Sequence, residues 1–152
     1  MLWSGEKQLV IGREAPQFAL LDQEGTRRYL SDHRGQFVLL FFYPRDFTPY
    51  CTREAKAFEM VYKQLQEQNV VVYGISTDPV KSHKEFHSLL GLHYDLLSDV
   101  TREVIDQYHA TGWIGTKRMS CLIGPDGKIF KVYSSVNPQN HPFEVLRDIT
   151  NW

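Results

Sequence analysis

The segment from residue 42 to residue 55 reads Phe42-Tyr43-Pro44-Arg45-Asp46-Phe47-Thr48-Pro49-Tyr50-Cys51-Thr52-Arg53-Glu54-Ala55. It places Cys51 in the predicted first turn of a helix, directly after an apolar strand. A helix N-terminus presents unpaired N–H groups and a positive dipole end, and both favour a thiolate over a thiol. The Thr48 hydroxyl is near enough in sequence to hydrogen-bond the sulfur or a ligand above it. Cys51 is therefore the candidate nucleophile; the competing interpretation is a buried structural cysteine.

The pattern on both sides of this segment predicts an α/β fold. Continuous apolar runs at residues 38–42 and 70–76 indicate strands buried on both faces, and helical spacing between them predicts a helix at 52–68. A hairpin turn is predicted at residues 124–127. Strand-helix-strand alternation followed by a hairpin predicts a thioredoxin-like fold, with a central mixed sheet flanked by helices. The remaining predicted elements are helices at 79–90, 101–108 and 142–149, and strands at 94–97, 119–123 and 128–133.

Composition predicts one domain over residues 1–152 and excludes several classes of protein. A net charge of −1 with scattered basic residues argues against a nucleic-acid or anionic-membrane surface. The longest apolar run, residues 37–43, is too short to span a bilayer. The charged residues 5–7 argue against an export signal, and two cysteines favour a reducing, cytoplasmic compartment.

The segment 42–55 resembles the active-site segment of peroxiredoxins, specifically the bacterioferritin comigratory protein (Q-type) group. Further stretches resemble that group in order: residues 12–18, 74–78 with 82–86, 96–99, and Arg118 leading into 122–129. The resemblance implies a thiol-dependent peroxidase that reduces hydrogen peroxide and small organic hydroperoxides, and that needs no cofactor or metal. The alternative function is a non-enzymatic redox sensor. A protein disulfide oxidoreductase is disfavoured, because the chain has no Cys-x-x-Cys.

The resemblance also implies a role for individual residues. Cys51 matches the peroxidatic cysteine, which becomes a sulfenic acid. Thr48 matches the hydroxyl that hydrogen-bonds peroxide and thiolate, and Pro44 matches the proline that shields them from water. Arg118 matches the distant arginine that favours the thiolate and stabilises charge on the peroxide, and Glu54 the carboxylate that orients this arginine. An ordinary surface charge at Arg118, or a carboxylate at Glu54 that merely favours the helix N-terminus, are the alternatives.

The resolving cysteine of many Q-type members is missing. Its position, five residues after Cys51, is Lys56, and no cysteine occurs near the C-terminus. Cys121 is predicted to lie on the opposite strand face from Arg118, as an apolar filler or, alternatively, as a resolving thiol reached by rearrangement. The predicted cycle therefore uses one cysteine and an external thiol: thioredoxin, glutaredoxin, glutathione or another low-molecular-weight thiol.

Several aromatic residues are candidates for the substrate pocket. Tyr50 replaces the usual glycine, and it either narrows access to Cys51 and contacts peroxide or simply faces solvent. Tyr43, Phe47 and Trp113 either line the pocket or pack in the core. The oligomeric state is left open between a monomer and a weak homodimer.

Three histidines offer a competing chemistry. His83 and His87 are four residues apart on one predicted helix, and His93 follows shortly after, a spacing compatible with a metal site. No cysteine or glycine-rich loop supports such a site. The stretch that begins at His83 is instead predicted to be a solvated helix face.

Overall fold

The computed structural model describes residues 9–152, so the charged residues 5–7 lie outside it. The elements of the described chain are seven strands, four helices and a short 3₁₀ turn at Leu30–His33. None of the helices in residues 9–152 combines the length and apolar character that crossing a bilayer requires. The strands are β1 (Ala19–Leu21), β2 (Arg27–Tyr29), β3 (Phe37–Phe42), β4 (Val70–Ser76), β5 (Asp95–Ser98), β6 (Met119–Ile123) and β7 (Ile129–Tyr133); the helices are α1 (Pro49–Glu67), α2 (Val80–Leu90), α3 (Glu103–Gln107) and α4 (His141–Thr150).

The seven strands form one mixed sheet in the order β2-β1-β5-β4-β3-β6-β7. Strand β4 pairs in parallel with β3 and β5, whereas β6 pairs antiparallel with β3 and β7. The predicted mixed sheet flanked by helices is confirmed. The short strands β1 and β2, at one end of the sheet, were not predicted from the sequence, because three residues each are too few to establish an alternating pattern.

The core lies in two layers, one on each face of the sheet. All of β3 is buried, and its alternate side chains point into opposite layers. Phe41 shares the first layer with Cys51 and Phe58 of α1. Leu40 shares the second layer with Cys121 of β6. Strand β3 leads through a short loop into α1, and the sheet separates Cys51 from Cys121.

Candidate active site

The N-terminus of α1 places Cys51 at the third helical position. Thr48 is the N-cap residue with an extended backbone, and Pro49 occupies the first helical position, where its missing N–H costs no hydrogen bond. The helix begins three residues earlier than predicted, which leaves Cys51 in the first turn as expected. The Cys51 side chain is only 1% exposed.

Arg118 bridges the cysteine and a carboxylate. It directly precedes β6, whose Met119 lies opposite Phe42 at the end of β3, so its side chain reaches the start of α1. Its Nη2 donates a hydrogen bond to Cys51 Sγ at 3.1 Å, and its Nη1 donates to Glu54 Oε1 at 2.7 Å. The structure thus brings together three candidates that are up to 67 residues apart in sequence.

The guanidinium of Arg118 thus contacts both the Glu54 carboxylate and the Cys51 sulfur. Burial raises the pKa of Glu54 to about 7, and the opposing attraction of Arg118 does not restore its usual value. The second carboxylate oxygen, Oε2, is buried and has no hydrogen-bond partner among the described residues. Burial lowers the pKa of Arg118, but its contacts with Cys51 and Glu54 outweigh this effect and raise it. Arg118 therefore keeps its charge beside the sulfur.

Glu54→Gln should change how stability depends on pH. The folded chain holds a proton on Glu54 between pH 4.5 and about pH 7, where the unfolded chain has released it, so the free energy of unfolding falls as pH rises through this window. Glutamine does not titrate. As the pH rises from 4.5 to about 7, the free energy of unfolding of the variant should therefore increase by about 3 kcal/mol relative to that of the original chain. Chemical denaturation at several pH values measures this difference.

The control for this prediction is Glu85→Gln, which removes an exposed carboxylate from α2. Its pH dependence should match that of the original chain. Parallel pH curves for Glu54→Gln and the original chain would show that Glu54 is ionised in the folded state throughout.

Thr48 and Pro44 flank the loop that joins β3 to α1. The Thr48 hydroxyl donates to the backbone carbonyl oxygen of Arg45 at 2.9 Å, rather than to the sulfur. Its oxygen keeps lone pairs that can accept a hydrogen bond from a ligand. Pro44 is exposed at the start of the loop. Both residues lie on the segment that leads directly into Cys51.

The three aromatic pocket candidates occupy three different environments. Tyr43 is buried in the core, and its hydroxyl donates to Asp46 Oδ1 at 2.7 Å, so core packing accounts for it. Phe47 is half exposed and packs edge-on against Phe86 of α2, with ring centroids 5.0 Å apart. Trp113 is 99% exposed. The structure therefore does not bring these rings together as one pocket lining.

Tyr50 is a helical residue that faces solvent. It is 61% exposed, and Arg53 Cζ lies 5.2 Å from its ring centroid. Because the ring is turned toward Arg53, we expect Tyr50→Phe and Tyr50→Gly to react with peroxide at the rate of the original chain. Stopped-flow oxidation of Cys51 measures this rate. A slower Tyr50→Phe variant would show that the phenol hydroxyl contacts peroxide.

The histidines do not converge on one site, and the solvated face predicted at His83 is wrong. His83 is fully buried; its Nδ1 lies 2.7 Å from Asp46 Oδ2 and its Nε2 lies 3.0 Å from the Leu97 carbonyl oxygen. His87 instead contacts the Tyr94 carbonyl oxygen. His93 pairs with Glu59, at 2.6 Å. One signal for the burial of His83 was available, because it lies three residues before the apolar Phe86 on the same helix face.

Cys121 lies at the centre of β6, opposite Leu40 of β3. Its side chain is fully buried in the second core layer, as strand alternation predicted. Burial raises the pKa of its thiol to about 12. The sheet therefore stands between this thiol and Cys51.

The model of the AhpC/TSA family matches residues 11–132 of the chain. The chain belongs to the AhpC/TSA family. Two curated relatives resemble this AhpC/TSA protein over nearly their full length. A putative peroxiredoxin bcp from Coxiella burnetii is 39% identical and covers 90% of the chain and 95% of the relative. Peroxiredoxin Bcp from Escherichia coli K12 is 37% identical and covers 95% of each.

Solved structures agree with these relatives. Peroxidoxin BcpB from Mycobacterium tuberculosis superposes on this AhpC/TSA chain with a TM-score of 0.87 at 34% identity, covering 95% of the chain and 98% of the neighbour. A Xanthomonas campestris bacterioferritin comigratory protein gives 0.88 at 25% identity, covering 93% and 98%. The predicted peroxiredoxin resemblance and thioredoxin-like fold are confirmed. The chain is a peroxiredoxin, a thiol-dependent peroxidase.

Proposed function

We propose that this peroxiredoxin reduces hydrogen peroxide and small organic hydroperoxides by a one-cysteine cycle. The Cys51 thiolate attacks the terminal peroxide oxygen; an S–O bond forms, the O–O bond breaks, and the leaving alkoxide takes up a proton to give an alcohol, or water. The resulting sulfenic acid condenses with an external thiol to give a mixed disulfide and water. A second thiol then releases the Cys51 thiol and forms the external disulfide.

One observation carries this proposal: Arg118 Nη2 donates to Cys51 Sγ at 3.1 Å while the sulfur lies in the first turn of α1. A fixed cation and a helix N-terminus both stabilise a thiolate, and the same guanidinium can stabilise charge that develops on the peroxide. Glu54 holds this guanidinium from the other side. Thr48 and Pro44 lie on the loop before Cys51. This position suits their proposed roles, in which Thr48 hydrogen-bonds the peroxide and Pro44 shields the reacting sulfur from water.

The positions of the other side chains support an external resolving thiol. Lys56 is exposed on α1 in place of the usual resolving cysteine. Cys121 is fully buried in the other core layer, and burial raises the pKa of its thiol. Because the Cys51 side chain is 1% exposed, an incoming thiol needs a local opening of the first turn of α1.

The remaining features of the proposal concern substrate, reductant and setting. The Xanthomonas campestris bacterioferritin comigratory protein is described as having alkyl peroxide reduction activity, which supports organic hydroperoxides as substrates of this chain too. The reductant is thioredoxin, glutaredoxin, glutathione or another low-molecular-weight thiol. Such a cycle requires a reducing compartment, which we take to be the cytoplasm. The protein acts as a monomer or a weak homodimer.

The test supplies each candidate reductant separately and follows peroxide consumption. After single-turnover oxidation with one equivalent of peroxide, mass spectrometry should find the reductant on Cys51 as a mixed disulfide. A disulfide between Cys51 and Cys121 that forms at the rate of turnover would contradict the one-cysteine cycle.

A further inference from the structure

A second buried polar cluster lies behind the loop that carries Thr48. Asp46 is at its centre: Tyr43 Oη donates to Asp46 Oδ1 at 2.7 Å, and Ser82 Oγ donates to Oδ2 at 2.8 Å. His83 Nδ1 lies 2.7 Å from the same Oδ2. Asp46, Tyr43 and His83 are at most 4% exposed. A carboxylate in such a position is stable only with this full set of partners.

The hydrogen bonds fix where the protons are. The Leu97 carbonyl oxygen can only accept, so His83 Nε2 carries a proton and donates to it at 3.0 Å. The two hydroxyls already donate to Asp46. A lone pair on Nδ1 facing a lone pair on Oδ2 at 2.7 Å would be repulsive, so one proton lies between them. The pair of His83 and Asp46 therefore shares a proton and is neutral as a unit.

Hydrogen bonds next to this cluster also hold the backbone that leads to Cys51 in place. The backbone N–H of Asp46 donates to Asp78 Oδ2 at 2.8 Å, and the Ser76 hydroxyl fixes that carboxylate oxygen at 2.6 Å. The next residue, Phe47, has a left-handed backbone with φ of 68°, which costs an ordinary side chain about 1 kcal/mol or more. Its ring packs on Phe86, one turn after His83 on α2. Helix α2 thus holds the loop immediately before Thr48.

A metal ion is a weaker explanation of the cluster. Ligand atoms of Asp46, Asp78 and His83 lie within 4.8 Å of one another, a spacing that could hold a cation. However, the facing oxygen Oδ2 of each carboxylate already accepts two protein donors. Hydrogen bonds within the chain therefore account for the arrangement.

We propose that the His83–Asp46 pair is a positioning unit that sets Thr48 relative to Cys51 for attack on the peroxide. The proposal rests on the roles proposed above for Cys51 and Thr48. Arg118 and the N-terminus of α1 stabilise the Cys51 thiolate from one side of the site. The pair holds the loop from the other side, so its loss should slow the reaction with peroxide more than it changes the thiolate itself.

The decisive variants are His83→Leu and Asp46→Asn. Leucine fills the space of the imidazole but removes both of its hydrogen bonds, and it leaves the Asp46 carboxylate short of a donor. Asparagine preserves the connection, because its amide can donate from Nδ2 to a neutral His83 Nδ1 while its oxygen accepts from Tyr43. His93→Leu, which removes an exposed histidine, is the matched control.

Two rates are measured for Cys51 in each variant, at the same pH and without any reductant: single-turnover oxidation by hydrogen peroxide, and alkylation by iodoacetamide. We expect His83→Leu to lower the ratio of the oxidation rate to the alkylation rate about 100-fold, a loss that a misplacement of about 1 Å can cause. Asp46→Asn and His93→Leu should keep the ratio of the original chain. An unchanged ratio in His83→Leu, or an equal loss in Asp46→Asn, would overturn the proposal.

A spectroscopic measurement on the original chain tests the pair on which the proposal depends, even if His83→Leu does not fold. ¹⁵N-labelled histidine should show a proton shared by His83 Nδ1 and Asp46, and Asp46→Asn should convert Nδ1 to an acceptor. The absence of any proton between His83 Nδ1 and Asp46 Oδ2 in the original chain would overturn the proposal. Because no reductant takes part, these measurements remain valid even if the one-cysteine cycle is wrong. If Cys51 does not react with peroxide at all, the original chain will show no oxidation, which contradicts the proposed function rather than the positioning role of the pair.

Discussion

Replacement of Cys51 by serine should abolish peroxide turnover, whereas replacement of Cys121 should retain it. A serine hydroxyl is not ionised at neutral pH and cannot form a sulfenic acid, so no covalent step remains. Cys121 lies across the sheet with its thiol buried and its pKa raised to about 12. Peroxide consumption with each reductant measures both variants.

The Cys121 variant needs its own control, because a serine hydroxyl in the apolar core is itself destabilising. Cys121→Ala avoids that hydroxyl and should behave like Cys121→Ser in turnover, at the cost of a small cavity. Loss of turnover in both folded variants would show that Cys121 resolves the sulfenic acid. Retained turnover in Cys51→Ser would show that Cys51 is not the reactive thiol.

Arg118→Met should lower the rate of Cys51 oxidation by about 100- to 1,000-fold, which is typical when a donor to developing charge is removed. Methionine occupies similar space but gives the sulfur no hydrogen bond and no nearby charge. It also leaves Glu54 buried without its 2.7 Å partner. We therefore expect the variant to lose more stability at pH 8 than at pH 6, since Glu54 can take up a proton at the lower pH.

Two comparisons separate the effect on chemistry from the effect on stability. The double variant Arg118→Met with Glu54→Gln removes the unpaired carboxylate, so it should regain stability but not the oxidation rate. Arg53→Met removes an exposed arginine from the same helix and should keep the rate. An Arg118→Met variant that is oxidised at the original rate would reduce Arg118 to a structural partner of Glu54.

Local sequence signals predicted the frame of this molecule well. The continuous apolar runs of β3 and β4 identified the buried strands, and the segment after β3 located the start of α1 to within three residues, with Cys51 in its first turn. These features depend on neighbours within a few residues. Propensity and periodicity report that information directly.

Contacts between distant segments were harder to predict. The burial of His83 depends on Asp46, 37 residues earlier, and without that partner the histidine looks like part of a solvated face. The link between Glu54 and Arg118 spans 64 residues, and it came from resemblance rather than from pattern. The short strands β1 and β2 gain their identity from pairing within the sheet, which single-sequence periodicity does not show.

The sheet that separates Cys51 from Cys121 has a consequence for the enzyme under oxidative load. In the proposed one-cysteine cycle, the sulfenic acid persists until an external thiol reacts with it, so its lifetime depends on the concentration of that thiol. A second peroxide competes during this wait and yields sulfinic acid, which is a dead end without a dedicated repair enzyme. Under the proposed cycle, the fraction of inactivated enzyme therefore rises as peroxide increases relative to the external thiol.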